Sequence, residues 1–230
     1  MVDDYGREFA IDELLGPFND FEQRNAPKRI WAAGRVELLR DHPRVAAVGS
    51  RSASSSGRNR ATRLARELVQ SNIVVVSGLA EGIDTAAHLG AIESGGQTIA
   101  VLGTPLERSF PKSNEALQRR LSAEHLVLSQ FAPGSVVQPR NFPMRNRLMA
   151  LVADATVIIE AKEGSGTIHQ GWESIRLGRP LFLMRSLVAS SPSQWVRDFL
   201  DHGAVELVAT QQVIDVLPPK RLSTLQDAPF

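Results

Sequence analysis

The feature that most constrains the fold is a regular alternation between short β-branched apolar runs and helix-length segments. The runs are "RVAAVGS", "NIVVVSG", "QTIAVLG", "EHLVLSQ", "ATVIIEA" and "RPLFLMR", with a weaker one at "AVELVA". Polar residues hardly interrupt them, so both faces of each strand are buried, the condition of a parallel sheet covered by helices on both sides. The spacing predicts helices over 57–71, 83–94, 113–122, 143–152, 167–177 and 192–201, with Gly178 placed to stop the fifth. The expected fold class is α/β, a doubly wound and mainly parallel sheet. Residues 1–43 break the rhythm, with helix-like pieces at 8–15 and 36–40 around a Gly-Pro break, and read as a short N-terminal helical appendage. Residues 44–218 then carry the sheet domain, and the polar tail 219–230 is expected to be flexible.

A chain of 230 residues suits one such core with a small addition. Without cysteine there is no disulfide framework, thiolate zinc site or cysteine nucleophile, which suits the cytosol. No apolar run approaches a membrane span, and the acidic "MVDDYGREFAIDELLG" is unlike a signal peptide. A cytoplasmic protein with no membrane association is expected. The net charge of +1 hides an asymmetry: residues 1–22 hold seven acids and one base, which leaves 25 bases against 18 acids in the rest. Most of those charges read as solvated surface.

In a parallel sheet, the loop after each strand feeds the N-terminus of the next helix, where unpaired backbone N–H groups and the helix dipole favour anions. Four loops carry chemistry suited to phosphate. "GSRSASSSGRNRATRLAR" has five arginines and no acid, with Gly49, Ser50 and Arg51 at the strand end. "SGLAEGID" offers Ser77, Gly78 and the following amides as a cradle, without the spacing of a dinucleotide fingerprint. "EGSGT" sets Gly164, Ser165, Gly166 and Thr167 before a helix, suited to an anion or a ribose. The proline-rich "QFAPGSVVQPRNFP" leads into a helix bearing Arg140, Phe142, Arg145, Asn146 and Arg147, where first-turn arginines oppose the dipole. A flat ring beside guanidinium forks is the pairing that holds single-stranded nucleic acid. Each feature also has a plain structural reading: a basic surface loop, Asp84 as a helix cap, His88 as a core histidine instead of a metal ligand, Phe142 in the core, Arg147 paired to Asp154 or Glu160.

Taken together, "VGSR", "SGLAEGIDTAAH", "GGQTIAVLGTPLERSFPKSNEAL", "FAPG", "NFPMRNRLMA" and "VIIEAKEGSGT" resemble the DNA-processing protein A (DprA, also called Smf) family over roughly residues 44–185. The resemblance implies an extended Rossmann-like domain that binds single-stranded DNA without strong sequence preference, commonly as a homodimer, and that brings it to the recombinase RecA during natural transformation. It assigns DNA contacts to Arg51, Phe142, Arg145 and Arg147, with the Ser77–Gly78 loop in the same pocket. The chain departs from the usual pattern at "SGTIHQG", at "GRPLFLMRS" and at Gln130, and no C-terminal winged-helix module is expected after Pro219.

No catalytic set, metal-ligand spacing or cofactor motif stands out, so a non-enzymatic single-stranded DNA-binding protein is expected, with no catalytic residue, no metal and no cofactor. The alternative is a nucleotide-binding sensor or nucleotide N-glycosidase of the lysine-decarboxylase-like group. "GSGT" followed by Glu173 is similar to that group's motif, with Glu173 assisting N-glycosidic cleavage and Arg147 positioning the phosphate. A third possibility is an interaction scaffold.

Overall fold

The computed structural model describes residues 6–190 and 193–218, so the expected tail 219–230 lies outside the described residues. Nine strands form one sheet in the order β1-β2-β6-β5-β4-β3-β7-β8-β9. They are β1 (Arg7–Ala10), β2 (Arg29–Gly34), β3 (Arg44–Gly49), β4 (Val74–Ser77), β5 (Thr98–Leu102), β6 (Leu126–Ser129), β7 (Ala155–Glu160), β8 (Leu181–Met184) and β9 (Val205–Leu207). All pairings from β6 across to β9 are parallel, while β1 and β2 are antiparallel additions at one edge. The architecture is the doubly wound, Rossmann-like α/β fold, and each of the seven expected runs became a strand.

The absence of alternation has its expected cause. Along β3, Ala46 and Val48 enter one core while Val45 and Ala47 enter the other. Every position is therefore buried against a helical layer. One layer contains α6 (Asn141–Val152), α7 (Gly166–Arg176) and α9 (Gln194–Asp201), together with α1 (Ile11–Leu15). The other contains α3 (Ser55–Gln70), α4 (Ile83–Glu93) and α10 (Gln211–Ile214). Three further helices are α2 (Asp20–Asn25), α5 (Glu115–Glu124) and α8 (Arg185–Ser190).

Two departures from the sequence reading matter. The N-terminal segment is more than a helical appendage, because β1 and β2 extend the sheet by pairing with each other and with β6. Both are short strands at a sheet edge with one half-exposed face, so neither has the continuous apolar signature of the central strands. Helix α6 begins at Asn141, two residues before Pro143. The proline stays in the first turn, where a missing N–H costs nothing because the first four have no partner in the helix.

The chain winds outward from β3 through β4 and β5 to β6, then returns to β3's other side as β7. The two loops leaving β3 and β7 must diverge to opposite faces, which opens a crevice beyond the carboxyl ends of these strands. Ligands of open α/β sheets bind at such switch points.

Candidate nucleic-acid interface

That crevice is a cleft of about 510 Å³, lined among others by Gly49, Ser50, Arg51, Phe142, Arg145, Asn146 and residues 164–167. All four sequence-derived loops therefore meet in one place, the second through Ala80 and Asp84. Phe142, Arg145, Asn146 and Met149 recur at i, i+3, i+4 and i+7 of α6, so one helix face turns all four toward the cleft. Arg147 is off that face. Its Nε lies 3.1 Å from the Glu173 carboxylate on α7, and neither Arg147 nor the exposed Arg140 lines the cleft.

At the mouth, the exposed Arg51 guanidinium lies 5.4 Å from the centroid of the half-buried Phe142 ring, within cation–π range. Phe110, half exposed in the loop after β5, tilts against the same ring at 5.3 Å between centroids. The ring can approach the end of β5 only because Gly103 has no side chain, since a Cβ there would sit 2.7 Å from Phe142 Cδ1. Arg51, Phe110, Phe142 and Pro111 also bound a smaller hollow of about 90 Å³. The Arg51–Phe142 pair is thus the partition between a cationic crevice and a partly aromatic one.

Behind it Arg145 and Asp84, of opposite charge, are both buried, together with Ser77. Arg145 is 6% exposed, and its Nη1 donates to the carbonyls of Gly78 (2.6 Å) and Val101 (3.0 Å). Burial lowers its pKa, against the opposing pull of Asp84. Asp84 is equally deep, and burial raises its pKa while Arg145 and the amides of Ala80 and Gly78 pull it down. The Ala80 N–H reaches Asp84 Oδ2 at 3.3 Å. A carboxylate of the protein itself thus fills the cradle expected for phosphate. Ser77 is fully buried, its hydroxyl donating to Ala47 O at 2.7 Å. A Cβ on Gly78 would overlap the Arg145 guanidinium, so that glycine provides room for the arginine. Arg145 is the floor of the site and not a fork aimed at solvent.

A second internal carboxylate fills the N-terminus of α3. Glu160, at the end of β7, accepts the Ser54 N–H at 2.9 Å and the Ser54 hydroxyl at 2.5 Å, and Ser54 Oγ accepts the Gly57 N–H at 2.9 Å. Helix α7 starts in the crevice without a capping side chain, as α4 and α6 do. Its N-cap Ser165 makes no cap hydrogen bond, and Asn146 Nδ2 ties the turn to α6 by donating to Gly166 O at 3.0 Å. With Asp84 and Arg145 offsetting each other, Arg51 and the exposed Lys162 give the mouth its positive sign.

Sequence reasoning passed over three lining residues. Lys162 stands beside the glycine turn. Phe110 carries the same Phe-Pro signature as Phe142 and could have been found by it. Gln170 is 1% exposed with neither amide atom hydrogen-bonded in the protein, and it lies one turn into α7, in phase with Gly166. Glu173 sits elsewhere. It is buried under Arg147 and Arg176 (3.0 Å), with His169 at 3.7 Å, and does not line the cleft.

A model of DNA recombination-mediator protein A matches residues 17–218. DNA processing protein DprA of Streptococcus pneumoniae is 35% identical over 206 residues, which cover 90% of this chain and 72% of that protein. The Bacillus subtilis DprA is 26% identical over 196 residues, covering 85% and 66%. Of the putative DprA of Mycobacterium tuberculosis the match spans 49%. The X-ray structure of the pneumococcal protein superposes with a TM-score of 0.80 at 32% identity, over 94% of this chain and 76% of that one. DNA processing protein A of Helicobacter pylori, a structure described for its single-stranded DNA binding mode, gives 0.72 at 27% identity over 82% and 86%. A molybdenum cofactor binding protein of Rippkaea orientalis, at 16% identity and a TM-score of 0.56, shares the fold alone. The strand order, the loop motifs and a match over residues 17–218 agree, and the chain belongs to the DNA recombination-mediator protein A family, the DprA/Smf proteins.

Proposed function

We propose that the chain binds single-stranded DNA across the crevice at the β3–β7 switch, without strong sequence preference and without catalysing a reaction. One phosphate is received by Arg51, Lys162 and the amides of Gly164, Gly166 and Thr167, with Ser165 holding the turn through its N–H to Lys162 O at 3.1 Å. One base stacks on Phe142, with Gly49, Ser50 and Asn146 shaping the wall between them. The observation that carries this reading is the Arg51 guanidinium over the Phe142 ring beside the uncapped start of α7. A π-face and a cation suit any base and any phosphate, which supports tolerance of sequence. In this reading the protein acts in the cytoplasm in DNA uptake or recombination, as a homodimer that hands the strand to a RecA-type recombinase.

The test is a fluorescence titration with single- and double-stranded oligomers of equal length at two salt concentrations. Single strands are expected to bind tighter, with affinity falling as salt rises because neutralised phosphates release counterions. Phe142→Ala should weaken binding by about 1–3 kcal/mol, roughly 5- to 150-fold, the range of one base–aromatic stack. Equal affinity for both DNA forms, or an unaltered Phe142→Ala/Arg51→Ala variant, would overturn the reading.

Gln170 favours a second reading, a small nucleotide held in the same crevice, because its carboxamide can both donate to and accept from a base edge or a hydroxyl. Glycosidic cleavage is the weaker form of that reading, since Glu173 is committed to cations away from the cleft. Release of free base from nucleoside monophosphates is expected to be nil.

A further inference from the structure

The proposed site uses one of the five arginines between Gly49 and Arg66, and the structure separates the other four. Arg60 pairs with Glu160 at 3.5 Å. Arg58 turns back on the loop, donating to Ala53 O (2.5 Å) and the Ser55 hydroxyl (3.2 Å). It also shares a surface groove with Glu81 and Glu93. Arg63 and Arg66 are different. With Asn59 and Gln70 they recur at i, i+4, i+7 and i+11 of α3 and form its exposed ridge, since all four are exposed while Ala61, Leu64, Ala65 and Leu68 are buried. The ridge has no acid. Arg63 makes a long 3.8 Å contact with Glu67, whose other oxygen is taken by the Thr210 hydroxyl. Among the described residues Arg66 is in no ion pair.

The position of this ridge gives it a use. Helix α3 starts four residues after Arg51, on the loop that lines the crevice, and runs back along the sheet away from it. From Asn59 to Gln70 the ridge rises about 16 Å at 1.5 Å per residue. All four side chains are hydrogen-bond donors, two are cationic, and the adjacent carboxylate of Glu67 is engaged by Arg63 and the Thr210 hydroxyl. We propose that Arg63 and Arg66, flanked by Asn59 and Gln70, form a phosphate track that carries the single strand away from the crevice along α3. The proposal rests on the crevice being a DNA site. The partner is the sugar-phosphate backbone alone, because the ridge has no aromatic side chain to receive a base.

A track beyond the crevice makes binding depend on strand length. The native protein should bind an oligothymidine of about 20 nucleotides more tightly and with a steeper salt dependence than one of about 6, which fills the crevice alone. Arg63→Ala/Arg66→Ala should leave the short oligomer's affinity unchanged and abolish most of the gain with length. Its log–log salt slope with the long oligomer should be shallower by about 1.4, two phosphates at about 0.7 each for a single strand. Both sites are solvent-exposed and alanine favours helix, so the fold is retained. Arg35→Ala/Arg120→Ala, which removes two exposed arginines elsewhere, should keep both slopes. If the native protein binds no short oligomer, the crevice reading falls and the track with it. If the short oligomer binds but length adds nothing, or the gain survives in the ridge variant, or the control loses as much, the track alone is overturned.

Discussion

His88 shows how one residue of a motif can be structural and still have a measurable consequence. It is fully buried, and its Nδ1 lies 2.7 Å from the Thr98 hydroxyl oxygen. That hydroxyl already donates its one proton to Val75 O at 2.8 Å, so His88 is the donor and is held as the neutral Nδ1–H tautomer. Burial, with the nearby His125 and Arg145, pushes its pKa down to about 3. The unfolded chain takes up this proton near pH 6.5 while the folded protein does not until about pH 3. Stability is therefore constant from this source above pH 6.5 and falls as the pH drops below it, by up to about 1.4 kcal/mol per unit. Urea midpoints between pH 6.5 and 5, where ordinary carboxylates remain ionised, should decline in the native protein and decline less in His88→Gln. Equal slopes would contradict the argument. Buried His125, also lowered by burial, supplies a residual slope of the same sign.

Among elements, the first turn of α3 depends on a residue of another strand. Glu160 satisfies Ser54 twice and faces Arg60 at 3.5 Å, so Glu160→Ala leaves a cap and a cation without their partner. A loss of about 1–3 kcal/mol is expected in urea unfolding. The exposed Glu163→Ala, three residues on, should change stability by less than about 0.5 kcal/mol. If the two variants match, the clamp carries no weight. The same scale explains what could be read from the sequence alone. Strand positions were legible because burial on both faces writes itself as unbroken apolar runs. Arg51 and Phe142 were singled out as a charge and a ring at loop ends, and the structure brings them together at the cleft mouth. Arg145 and Arg147 were grouped as one motif, yet two residues apart on a helix means nearly opposite sides, and only helical phase separates the one under the cleft from the one on Glu173. The internal roles of Asp84 and Glu160 depend on neighbours in space, and β1 and β2 had too little apolar surface to announce themselves.

For the whole molecule, among the described residues the sheet ends at β9, which pairs on one side only with β8. Val205 and Val208 there are 45% and 61% exposed, with Val216 nearby in sequence at 49%. An open strand edge flanked by apolar side chains is a surface that a second copy can cover. Sedimentation velocity is expected to show a dimer, and Val208→Asp to shift it toward monomer without weakening a short oligothymidine. A native protein that sediments as a monomer at tens of micromolar, about the range of weak assemblies, would remove this support for a dimer.

Of the amide cups along the sheet's carboxyl rim, Asp84 and Glu160 stopper two from within. In the proposed reading, a polyanion passing over the rim is seated at the turn before α7. Movement of the strand should then proceed by discrete hops of one nucleotide between equivalent registers, with Phe142 letting go of each base as the next phosphate docks, and not by smooth gliding over a uniformly charged surface.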